Sequence, residues 1–140
     1  MSDAYRVALR TVDGGPTALG TAGQFTLVAD RPIAAGGRGL GFNGGQLLYL
    51  SIAACVSNDL YREAETLGIR LERVAVEVDG DFPKRGGPST PISVTVDIEA
   101  DADETAIDAL LAEVDRVAEI PNSLRGTIPV VIRRAPRGAR

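Results

Sequence analysis

The sequence predicts an α+β domain, a largely antiparallel sheet packed with two main helices, in the order β-β-α-β-β-α-β. Three observations carry this. Apolar and polar residues alternate, the period of a half-buried strand, in "AYRVALRTV" (4–12), "RLERVAVEVDGDF" (70–82) and "ISVTVDIE" (92–99). Two other segments, 44–67 and 104–118, repeat at the helical spacing. The strands arrive in hairpin-like pairs, which favours an antiparallel sheet over a doubly wound parallel one.

In the first strand Tyr5, Val7 and Leu9 alternate with Arg6, Ala8 and Arg10, and "DGGP" (13–16) supplies turn chemistry. A second strand is expected around 23–29 with Phe25 and Leu27 on one face, followed by an irregular, glycine-rich stretch at 30–45. Helix 44–67 is apolar on every side from Leu47 to Val56, which calls for protein all around it, and Gly68 is placed to end it. Strand 70–82 turns Val74, Val76 and Val78 inward and Arg73, Glu77 and Asp79 outward. Past the loop "PKRGGPSTP" (83–91), strand 92–99 sets Ile92, Val94, Val96 and Ile98 on one face. Asp103 is a candidate cap for helix 104–118, whose Ile107, Leu110, Leu111, Val114, Val117 and Ala118 form an inward stripe, and Pro121 ends that helix. A last strand, 127–134, precedes a tail (135–140) expected to fray.

The 140 residues suit one domain, 1–140, and 44% hydrophobic with 24% charged residues suits a globular chain. The net charge of −4 argues against a nucleic-acid partner. With no histidine, His-based general bases, Ser-His-Asp triads, Cys-His dyads and most zinc sites are excluded. The single cysteine, Cys55, forms no intrachain disulfide. The first residues do not read as a signal peptide, and the apolar run 47–56 is shorter than the ~20 residues a bilayer needs, so a cytoplasmic protein with no membrane partner is expected. "GLGFNG" (Gly39, Gly41, Gly44) matches a dinucleotide fingerprint, but lacks the close preceding strand and the acidic residue ending a second one. Its glycines read as shaping a loop over the helix N-terminus. No cofactor and no metal are expected.

Cys55 sits on a helix face with Leu48, Ser51, Ile52, Asn58, Asp59 and Arg62. Half of that face is polar, unusual within an otherwise apolar run. Cys55 is either a small buried hydrophobe or a thiolate nucleophile. The nucleophile needs a cation to lower its pKa, and without histidine the candidates are Arg62, two turns on, and Arg38 in the preceding loop. Asp59 would act the other way.

The stretch "GLGFNGGQLLYLSIAACVSNDLYREAETLGIRLERVAVEVDGDF" (39–82), followed by "TPISVTVDIEA" (90–100) and "AEIPNSLRGTIPV" (118–130), resembles the OsmC/Ohr family of osmotically inducible and organic hydroperoxide resistance proteins. The likeness spans about residues 4–134, and Asn43 lies twelve residues before Cys55, as in the family. It implies an intertwined homodimer and a pocket that includes Asn43, Gln46, Ser51 and Ala118. The family's peroxidatic cysteine matches Cys55, but its resolving cysteine falls on Ala118. The glutamate of its Asn-Pro-Glu run falls on Gly45, with Gln46 beside it, and its turn arginine falls in "TVDGGP", which has none. The resemblance therefore implies a one-cysteine, thiol-dependent reaction with hydroperoxides or electrophiles, weak or absent with organic hydroperoxides and needing an external thiol reductant. The alternative is a non-catalytic relative that binds a small apolar ligand in the inherited pocket, with Cys55 as lining.

Overall fold

A computed structural model describes residues 5–136. The chain divides into two compact units, Met1–Leu48 and Tyr49–Arg140, each with its own three-stranded sheet.

In the first unit β1 (Ala8–Thr11), β2 (Ala18–Ala22) and β3 (Phe25–Ala29) form an antiparallel meander. β2 is a strand that periodicity does not reveal. "ALGTA" has few of the bulky residues that mark strands, and pairing on both sides makes it one, with Gly20 opposite Leu9 and Leu27. The strand expected at 23–29 is β3. The strand expected at 4–12 is shorter, and residue 4 lies outside the described residues. That strand is also not half-buried: Val7 is 77% and Leu9 61% exposed, and Phe25 on β3 is 72% exposed. Alternation places side chains on opposite faces; whether a face is covered depends on what packs against it.

In the second unit β4 (Arg70–Asp79) pairs antiparallel with β5 (Ile92–Asp101), with a bulge between Leu71 and Arg73. The chain then crosses through α2 (Glu104–Val117) and α3 (Glu119–Leu124) and returns as β6 (Val130–Arg134), parallel to β5. A parallel neighbour requires such a crossover. Three of the four strand pairings are antiparallel, which keeps the sheets largely so.

α1 (Gly44–Thr66) contributes a row of Ile52, Val56, Leu60 and Ala64 to the core of this unit. The row meets Ile92, Val94, Val96 and Ile98 of β5 and Ile107, Leu110 and Val114 of α2, as their period predicts. Each Val, Leu or Ile among them contributes about 1.5–3 kcal/mol on burial, and Ala64 less, an upper bound against a real unfolded chain. The described residues do not enclose the run 47–56 of α1 on every side: Leu50 is 49% exposed, and Tyr61, beyond that run, is 50% exposed.

The helix ends follow sequence chemistry with one difference. Gly68 adopts φ +68° after α1, and the Asp103 carboxylate accepts the Ala106 N–H at 2.8 Å. α2 stops because Ala118 turns extended, at ψ 107°, and the chain winds again as α3. Pro121 thus does not close α2 but occupies the first turn of α3, where its missing N–H is not needed. Among the described residues, no helix is long and apolar enough to cross a membrane.

Candidate functional site

One turn of α1 and the start of α3 meet at Cys55. The thiol is half-buried and donates toward Asp59 Oδ2 at 3.7 Å, the i, i+4 neighbour on its helix. Asp59 is buried, 4% exposed, and its other oxygen pairs with Arg62 Nη2 at 3.1 Å. Arg62 Nε also bonds Glu63 Oε1 at 2.9 Å. From α3, Glu119 Oε2 lies 4.0 Å from the sulfur, and the Ile120 N–H donates to it. A thiol carries one proton, so it serves one of these carboxylates at a time.

α3 is held in place by Arg125. Its guanidinium donates to the Asp115 carbonyl at 2.8 Å, Asp115 Oδ1 at 2.5 Å, Asn122 Oδ1 at 2.8 Å and the Val130 carbonyl at 3.0 and 3.1 Å. One fork therefore ties the end of α2, α3 and the start of β6 together.

The electrostatics oppose activation. Burial pushes the Cys55 thiol above its ordinary value, and the charges of Asp59 and Glu119 push it the same way; the Ile120 N–H works against them and does not prevail. Asp59 is also raised, chiefly by burial and partly by Glu119, against the pull of Arg62. At neutral pH the sulfur is therefore held mainly as a thiol. The sulfur and one oxygen each of Asp59 and Glu119 lie within 4.8 Å of one another, close enough for a metal ion, although Arg62 already neutralises Asp59.

Of the residues named from the sequence, the structure brings Arg62 to the Cys55 face but gives its charge to Asp59 and Glu63. Arg38 lies in the first unit, 3.8 Å from Asp13 across the "DGGP" turn. Its loop is built tightly: the buried Asp30 accepts from the Thr17 hydroxyl and from the Arg31 and Leu40 N–H groups. Gly37 sits so close to the Arg31 carbonyl that a Cβ would lie 1.9 Å from its oxygen. Asn43 and Gln46 form a reciprocal capping box at the start of α1, each side chain accepting the other's backbone N–H at 2.9 Å. Ser51 is half-buried on α1, and Ala118 is fully buried between α2 and α3. Glu119 was not singled out by the sequence. Its signal was adjacency to Ala118, in the segment where the resemblance puts the family's second thiol.

The family model described as OsmC-like protein matches residues 36–133. No curated sequence matches the chain significantly. An OsmC-like protein of Mycoplasma pneumoniae superposes with a TM-score of 0.79 at 21% identity, over 97% of this chain and 100% of that one. An organic hydroperoxide resistance protein of Legionella pneumophila gives 0.74 at 20% identity, over 96% and 98%. One from Bacillus subtilis gives 0.67 at 21% identity, over 95% and 98%. At these identities the likeness carries the fold. The family match spans most of the chain and includes Cys55, the helix that bears it and the α2–α3 corner facing it, so the chain belongs to the OsmC-like protein family.

Proposed function

We propose that the protein handles hydroperoxides or other electrophiles through the single thiol of Cys55, with an external thiol as reductant and weak or absent turnover of organic hydroperoxides. The observation that carries this reading is a half-exposed sulfur that accepts a backbone N–H from Ile120 and has no second thiol in the chain. The two hydroperoxide resistance proteins of like fold support the substrate class.

In this cycle the Cys55 thiolate attacks one peroxide oxygen and the O–O bond breaks. The sulfur is oxidised to sulfenic acid, and the departing alkoxide takes a proton and leaves as the alcohol. Ala118 offers no thiol, so an external thiol condenses with the sulfenic acid, releasing water and forming a mixed disulfide. A second external thiol attacks that disulfide, returns Cys55 reduced and leaves as the oxidised pair. Burial and the two carboxylates keep the proton on Cys55, which slows the first step. A peroxide-consumption assay on the wild type and Cys55→Ser tests this. Slow, Cys55-dependent consumption is expected with dithiol reductants. Rapid Cys55-dependent turnover would refute the weak activity, and consumption indifferent to Cys55 would refute the role of the thiol.

A second reading, a non-catalytic binder of a small apolar ligand, is favoured by a separate observation, in a groove of the first unit and not in the expected pocket lined by Cys55. The face of the first sheet carries a groove of about 460 Å³ lined by Val7, Leu9, Ala22, Phe25, Leu27 and Leu47. Binding of an apolar fluorescent probe, lost on Phe25→Ser, supports it. Our reading also takes the protein to be an intertwined homodimer, since this open face and the exposed Leu50 and Tyr61 of α1 are apolar surface that a second copy would cover. A folded monomer in sedimentation at micromolar concentration defeats that assembly. The reading places the protein in the cytoplasm, where thiol reductants are available.

A further inference from the structure

We infer that Glu119 sets the charge preference of the Cys55 site: together with Asp59 it makes the approach to the sulfur negative, so that the thiol accepts neutral and cationic electrophiles and turns anionic ones away. This deepens the proposed function and rests on its reactive Cys55.

Among the described residues, Asp59 of α1 and Glu119 of α3 act on the sulfur directly. Arg62 acts on both and bonds Asp59 at 3.1 Å and Glu63 at 2.9 Å. Arg116 of α2, within reach of Glu63, is already paired with Glu113. Four carboxylates therefore stand against two guanidiniums. Glu119 makes no salt bridge among the described residues; the residue is exposed and its Oε2 lies 4.0 Å from Sγ, whereas Asp59 is buried. A reagent that reaches the sulfur must pass within a few ångströms of Glu119. That is well inside the roughly 10 Å over which ordinary salt screens charge. The same field acts on the reductant. A neutral or cationic thiol is the class that suits regeneration of Cys55, and an anionic thiol is disfavoured.

The test compares two methanethiosulfonates that differ only in charge, the trimethylammonium-ethyl and the sulfonatoethyl reagents. In both, the Cys55 thiolate attacks the sulfenyl sulfur, a disulfide forms and methanesulfinate leaves with the electron pair of the broken S–S bond; the thiol proton goes to solvent. Thiolate fraction cancels in the ratio of the two rates, so the ratio reports the field alone. Against the same ratio for a free small thiol, the wild type is expected to favour the cationic reagent. Glu119→Gln is expected to cut that preference about five- to tenfold at low salt, and Glu119→Lys to bring it below the free-thiol ratio. Raised salt is expected to collapse the wild-type preference, and Cys55→Ser to abolish labelling. A ratio unchanged between wild type and folded Glu119→Gln overturns the inference while leaving the reactive thiol standing. A Cys55 that neither reagent nor iodoacetamide labels overturns the reactive thiol and the inference with it.

Discussion

Replacing Arg125 with alanine cuts the fork that joins α2, α3 and β6. Four acceptors lose their donor: the carbonyls of Asp115 and Val130, and the side chains of Asp115 and Asn122. The ion pair with Asp115 is partly solvated, at 29% and 49% exposure of the two side chains, and contributes at most about 1 kcal/mol. Asn122 is exposed and can turn to water. The larger loss is at the Val130 carbonyl, in a residue only 5% exposed, where removing a charged donor costs about 1.5–3 kcal/mol. The sum is a destabilisation of about 2–4 kcal/mol, read by urea denaturation with an unchanged slope. Arg125→Lys should recover less than half of this, because one ammonium cannot span acceptors that the planar fork reaches together. The same loosening frees the segment that carries Glu119 and Ile120, so iodoacetamide should label Cys55 faster in Arg125→Ala under native conditions. A variant within 0.5 kcal/mol of wild type, with unchanged labelling, would show that α3 is held by its packing and not by Arg125.

The rate of Cys55 alkylation by iodoacetamide should rise with a midpoint above that of a free thiol, since burial and two carboxylates favour the protonated form; a midpoint below it refutes the electrostatics described. Asp59→Asn should move that midpoint down. Gly37→Ala forces a Cβ into the Arg31 carbonyl and should cost about 2–4 kcal/mol of stability in the first unit, whereas Gly44→Ala, with open space at its Cβ, should be nearly neutral by the same denaturation assay. For Asp30, burial favours the neutral acid, but hydrogen bonds from Thr17, Arg31, Leu40 and Arg38 outweigh it and hold the carboxyl below 3.8. A lowered folded value means stability that is present above the ordinary value and lost as pH falls through the lowered one. The protection of the Leu40 amide, relative to its intrinsic exchange rate, should therefore fall as pH drops below the ordinary carboxylate range in the wild type and depend less on pH in Asp30→Asn, checked by hydrogen exchange across that range.

Much of this molecule is local chemistry that a sequence states outright. The clean alternation of Ile92, Val94, Val96 and Ile98 and the stripe of Ile107, Leu110 and Val114 became the core of the second unit. A strand and a helix with one strongly apolar side have little choice of which side to bury. Asp103 and Gly68 set helix ends for the same reason: a cap satisfies backbone groups within a few residues of itself. The family was legible too, because the glycine-rich loop, the apolar helix ending at Cys55 and the segment 118–130 keep their order and spacing.

What only tertiary structure decided are properties of pairs far apart in the chain. β2 is a strand because two neighbours bond it, and "ALGTA" alone does not announce that. β6 lies parallel to β5 because a two-helix crossover returns the chain to the same edge. Asn43 and Gln46 belong to a pocket by resemblance, yet their side chains close on the backbone as a cap. Above all, the thiol's character turns on Glu119, 64 residues downstream, and on Arg62 pairing with Asp59 and Glu63 instead of the sulfur. Residue types and spacing specify which charges exist on a helix face. A pKa depends on burial and on charges within a few ångströms in space, and only the folded chain sets those distances.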